Sequence, residues 1–161
     1  MDEKTRRNIL SNLEHAKKSG DYYNKFGDLW KSFNAWGFNE TNLNKDSEMI
    51  NKLKNNVKLL ESFDSCLKDH REYRVILDRL KAACPVYDER YGDLEHYKSI
   101  DDIKNFGEVL EVIYQIRCNA FHGKKSPDEN RDMLLVSLAY KALIKPYEST
   151  LANDGLTNNS P

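Results

Sequence analysis

Between residues 22 and 37 the apolar and aromatic side chains Tyr22, Phe26, Leu29, Trp30, Phe33 and Trp36 recur at steps of three and four. That period lines one broad face of an α-helix and cannot line one face of a strand, where side chains alternate. It predicts a helix over 22–37 whose rings form core rather than a base-stacking surface. The same period recurs along the chain. Ile9, Leu13 and Ala16 mark a helix over 3–19 closed by Gly20-Asp21. Ile50, Leu53, Val57, Leu60 and Phe63 mark another from a cap at Asp46 or Ser47 to Lys68. A further segment runs from Glu72 to Ala83 and stops at Pro85, and strong periodicity returns over 101–122. Ser126-Pro127-Asp128-Glu129 then reads as N-cap, first turn and capping box. The helix it opens carries Met133, Val136, Tyr140 and Leu143 and is expected to bend or end near Pro146. The Asn-rich stretch 38–46 reads as a loop, as does 85–100, where Tyr87, Tyr91, Gly92 and Tyr97 keep no clean period.

No segment reads as a strand, and 7 Gly and 4 Pro in 161 residues are too few for the turns of a sandwich or barrel. The expected fold class is all-α, an up-and-down helical bundle of about five to six helices. Residues 1–151 read as a single domain and 152–161 as a polar tail. A hydrophobic share of 39% supports a packed core without help from metal or disulfides. The net charge of −1 provides no global field for nucleic acid, so any RNA contact must use a local basic patch. Cys66, Cys84 and Cys118 are widely spaced, with no CxxC pair, and fit reduced thiols. No apolar run approaches the roughly 18 residues of a membrane span. Residues Met1 to Arg7 lack the apolar stretch of a signal peptide, so the expected location is cytoplasmic, with no membrane partner.

One position breaks the pattern. Ile103, Phe106, Leu110 and Ile113 advance by three and four, and the next residue in the series is Arg117. Burying an unpaired charge costs several kcal/mol on the order-of-magnitude scale, so Arg117 needs a carboxylate, a phosphate or a water-filled cleft. Five residues later His122 stands directly before Gly123, the residue type favoured just past a helix end. Lys124 and Lys125 follow before the Ser126 cap, placing an imidazole, two ammonium groups and a helix N-terminus close together. Cations and helix N-termini both favour phosphate.

The run Ile116-Arg117-Cys118-Asn119-Ala120-Phe121-His122-Gly123-Lys124-Lys125 resembles the Arg-x4-His signature of the HEPN superfamily. The earlier Phe26-Gly27-Asp28-Leu29-Trp30-Lys31-Ser32-Phe33-Asn34-Ala35-Trp36 resembles the aromatic LWxxFN helix of many bacterial members, and the likeness spans most of 20–145. The resemblance implies a HEPN-like bundle and a metal-independent endoribonuclease of toxin or antiphage-defence type. It also implies a homodimer in which both Arg-x4-His segments share one cleft, an RNA substrate, and an antitoxin or defence-complex partner. Carried over by position, Arg117 and His122 are the catalytic residues, with Asn119, Lys124, Lys125 and Asn34 binding substrate. Cys118 stands where members often carry a polar residue after the arginine, which directs attention to Asn119. Lys124 stands where members regulated through tyrosine modification carry tyrosine.

The residue types suit that chemistry. Metal-free RNA cleavage needs a base for the 2′-hydroxyl, an acid for the leaving oxygen and positive charge on the phosphorane. Histidine serves in either proton role near neutrality, and a two-fold dimer supplies two copies. Arg117 would grip phosphate through its planar fork. The plainer reading is that His122 complements a helix C-terminus and Arg117 pairs with a structural carboxylate. The alternative function is a non-catalytic HEPN adaptor mediating dimerisation or partner or nucleotide binding. Asn34 either reaches the cleft or bonds to backbone. His15, His70 and His96 have no second His or Cys at ligand spacing and read as surface residues, so no metal or other cofactor is assigned.

Overall fold

The computed structural model describes residues 1–157 except 123–129, and of His122 only the backbone. The Ser126-Pro127 cap therefore lies outside the described residues. Seven helices and one two-stranded ribbon make up the described structure: α1 Glu3–Lys18, α2 Tyr22–Thr41, α3 Asp46–Leu53, α4 Val57–Asp69, α5 Arg71–Ala82, β1 Val86–Tyr87, β2 Tyr97–Lys98, α6 Phe106–His122 and α7 Asn130–Asn153. The all-α class holds. Among the described residues no helix is long and apolar enough to cross a membrane.

Local chemistry sets several boundaries. Asp2 caps α1 by accepting from the Thr5 N–H at 2.7 Å, and Asp21 caps α2 by accepting from Asn24 N–H at 2.9 Å. The helix predicted from Asp46 to Lys68 is two helices. Asn56 breaks it by capping α4, its Oδ1 accepting from Leu59 N–H at 3.1 Å, an alternative to the helical ladder that Asn side chains offer. Val57, counted in the apolar series, is exposed as a result. Helix α2 runs on to Thr41, past the expected loop start, and closes at Asn42 with φ 55°. Residues 101–105 form a turn rather than helix. The Glu108 carboxylate accepts from the Asp101 and Asp102 N–H groups at 2.9 and 3.1 Å. In the expected loop 85–100, β1 and β2 pair antiparallel, with Val86 opposite Lys98 and Tyr87 opposite Tyr97. Two-residue strands leave no periodic trace. Beside them Arg90 chelates the buried Asp88, and this bonding holds the Asp88 carboxyl below its usual range against the opposing effect of burial.

The central element is α7, which packs against α2, α4, α5 and α6, while α1 lies along α2. It continues through Pro146 to Asn153 rather than ending there, and the proline lacks the N–H that would bond to the Ala142 carbonyl. The buried Tyr73 hydroxyl of α5 donates to that carbonyl at 2.6 Å and replaces the missing bond. Ser32 joins α1, α2 and α7, donating to the Ile9 carbonyl at 2.8 Å and lying 3.0 Å from the Tyr147 hydroxyl. At its C-terminal end α7 closes with Gly155 at φ 70°, where a left-handed conformation suits glycine, and the Leu156 N–H reaches the Leu151 carbonyl at 2.9 Å. The polar tail expected from residue 152 thus begins with a last helical turn and a cap. The α2 rings Phe26, Trp30, Phe33 and Trp36 are buried, as the core reading requires.

Candidate functional site

Helix α6 turns Leu110 and Ile113 into the core, and Arg117 follows on the same stripe. The cation is met by a carboxylate. Arg117 Nη2 lies 3.4 Å from Asp46 Oδ2, with side-chain exposures of 18% and 23%. Its guanidinium carbon sits 5.7 Å from the centre of the Trp30 ring. Asp46 is the first residue of α3, and its other oxygen accepts from Asn34 Nδ2 at 3.2 Å. Thus Asn34, Asp46, Arg117 and Trp30, from three helices, form one connected group. Asn34 enters through Asp46, and its own Oδ1 is buried with no hydrogen-bond partner among the described residues.

Trp30 also stacks with Tyr114, at 5.9 Å between ring centres and 22° between ring planes. Burial first, then the neighbouring Cys118, pushes the Tyr114 phenol up to about 12, so it stays protonated beside the site at neutral pH.

Arg117 also lines an open groove of about 340 Å³ between α2 and the end of α6, together with Tyr23, Gly27, Asp28, Trp30 and Phe121. Tyr23 is fixed by its hydroxyl, which donates to the Ala120 carbonyl at 2.9 Å, and its ring centre lies 4.9 Å from that of Phe121. Asp28 bonds to the Lys31 ammonium at 2.8 Å on the groove rim.

The remaining sequence candidates divide. Asn119 lies two positions beyond Arg117, roughly 200° around the helix, and faces the β ribbon. Its Nδ2 donates to the Tyr87 carbonyl at 2.8 Å, while its Oδ1 accepts from Gln115 Nε2 at 3.0 Å and from Glu89 N–H at 3.4 Å. Asn119 therefore anchors the ribbon and does not line the groove. His122 is the last residue of α6, one position beyond Phe121, and its side chain lies outside the described residues. Lys124 and Lys125 also lie outside them. Among the histidines set aside, His96 packs on Tyr91 with ring centres 3.8 Å apart and contacts Asp93, and His70 faces Glu72 at 3.5 Å. Among the described residues no three His, Cys, Asp or Glu side chains gather as a metal-holding group.

The period of α6 singles out Arg117 but carries no sign of its partner Asp46. The stripe required a counter-charge; with 26 acidic residues and a separation from position 46 to 117, no local pattern could select it. Phe121, about one-third exposed, lines the groove one residue before His122. Comparison with protein-family models, curated proteins and solved structures found no match to this chain.

Proposed function

We propose that this chain is a metal-independent endoribonuclease of HEPN type, acting as a homodimer in a toxin or antiphage-defence setting. Arg117 and His122 are its catalytic residues. The supporting observation is the placement of Arg117: a half-buried guanidinium on an otherwise apolar stripe, oriented by Asp46 and Trp30, lining an open groove five residues before His122 on the same helix. A phosphate entering that groove meets a planar donor array held by a carboxylate behind it. His122 takes the proton-transfer role, and the two-fold partner supplies the second imidazole for the opposite role. The Asp46–Arg117 pair also favours a second reading. A guanidinium already matched to a carboxylate has a structural task, which suits a non-catalytic adaptor of the same bundle.

The test is cleavage of single-stranded RNA by the purified full chain in excess chelator, with light scattering on the same samples. His122→Ala is expected to lower the rate by about 10²–10⁴-fold, the usual effect of losing a proton-transfer group. Arg117→Lys keeps the charge, loses the planar fork and is expected to impair cleavage as well. Cleavage by His122→Ala at the wild-type rate, or a strictly monomeric protein at micromolar concentration, would transfer the assignment to the adaptor reading.

A further inference from the structure

The groove in front of Arg117 has an aromatic floor whose construction the phosphate chemistry does not account for. Phe121 lies against the α2 backbone at Gly27. A Cβ at Gly27 would stand 3.2 Å from Phe121 Cζ and 3.4 Å from Cε1, so any larger residue would push the ring away. Glycine within a helix costs about 1 kcal/mol relative to alanine, and here its bare backbone gives the ring a seat. Tyr23 at 4.9 Å and Phe26 at 6.2 Å hold the ring from the sides, and Tyr23 is itself pinned to the Ala120 carbonyl. Phe121 nevertheless stays 36% exposed, on the groove. It is a ring held by its neighbours and still partly open to solvent.

Among the described residues the groove is lined by two cations and one carboxylate: Arg117, and Lys31 paired with Asp28 at 2.8 Å. A nucleotide suits this lining, with its phosphate at Arg117 and its base over Phe121, the Asp28–Lys31 pair offering both an acceptor and a donor to the base edge. The groove volume of about 340 Å³ falls at the small end of ligand pockets, the size for one base and its sugar rather than a helix. In an A-form duplex the base faces are covered by their neighbours and cannot stack on a protein ring.

We infer that Phe121, seated on Gly27, is a stacking platform for one unpaired base, which makes the ligand of this site single-stranded RNA. The inference rests on the ribonuclease reading for the identity of the polymer, but its test reads binding and needs no turnover.

A fluorescein-labelled mixed-sequence RNA octamer, alone or annealed to its complement, is titrated with the full chain in chelator and followed by anisotropy. The proteins are wild type, Phe121→Leu and Phe121→Trp, with circular dichroism and sedimentation on each. The expected result is tighter binding of the single strand. Phe121→Leu should bind it roughly 5- to 100-fold more weakly, as loss of a base–aromatic stack predicts. Phe121→Trp should bind near the wild-type level, and duplex binding should not change with either variant. Equal affinity for single strand and duplex would overturn the inference, as would undiminished binding by Phe121→Leu or no binding by wild type. A dimer that dissociates in Phe121→Leu while each chain still binds RNA normally would make Phe121 a subunit contact and overturn it too. If binding behaves as expected while no protein cleaves RNA, the stacking site stands and the nuclease reading fails.

Discussion

Tyr73→Phe should destabilise the protein through a carbonyl that belongs to another helix. Pro146 cannot donate to Ala142, and Tyr73 supplies that bond at 2.6 Å from a fully buried position. Deleting the hydroxyl removes one oxygen and leaves little cavity, so the cost comes from the Ala142 carbonyl, which is 1% exposed at the residue level and has no water to turn to. A buried group left without its partner costs about 1–3 kcal/mol. At roughly 2–4 °C per kcal/mol for a chain of this size, the melting temperature should fall by about 4–8 °C for a loss of about 2 kcal/mol. Urea denaturation followed by tryptophan fluorescence should show a lower midpoint at unchanged m. The decisive arm is Pro146→Ala, which restores the backbone N–H. In that background Tyr73→Phe should cost less than about 0.5 kcal/mol, a coupling expected only for groups that share one partner. Equal losses in both backgrounds would show that the hydroxyl does not stand in for the proline's missing donor.

Other outcomes follow from the same structure. Asp46→Asn keeps the acceptor for Asn34 but removes the charge facing Arg117; at 3.4 Å the gross attraction is about 5 kcal/mol at an effective dielectric near 20, and after the opposing desolvation a net loss of about 1–2 kcal/mol is expected. The urea midpoint reads it, and an Asp46→Asn, Arg117→Gln cycle with no coupling would refute the pair's importance. Gly37→Val should cost about 2–3 kcal/mol by overpacking, because even a Cβ at Gly37 would stand 2.5 Å from Met49 Sδ and 3.0 Å from Leu53 Cδ1; unchanged thermal stability would contradict the close α2–α3 contact. The depressed carboxyl of Asp88 contributes stability that is fully present above the ordinary aspartate value near about 4 and lost as pH falls through its folded value. Exchange protection of the Asp88 amide, bonded to the His96 carbonyl at 2.8 Å, should therefore fall below about pH 4, more steeply than in Asp88→Asn.

The helical class was legible because helix signals are local. Asp2 and Asp21 cap from three residues away, and the α2 rings repeat within single turns, so neighbouring residues carry the whole instruction. Arg117 was legible for the same reason, as an exception to a period that its own helix defines. What required the tertiary structure involves partners distant along the chain. Asp46 meets Arg117 and Tyr73 meets Ala142 only after other helices have packed. Asn119 is drawn to the ribbon because the Tyr87 carbonyl of a two-residue strand needs a donor. Phe121 reaches the surface of the groove because Gly27, from the other end of the chain, leaves room for its ring. A period records which face of a helix is buried; which group waits on the facing helix depends on how the helices close over one another, and an ion pair or hydrogen bond has no strength until that closure has excluded water.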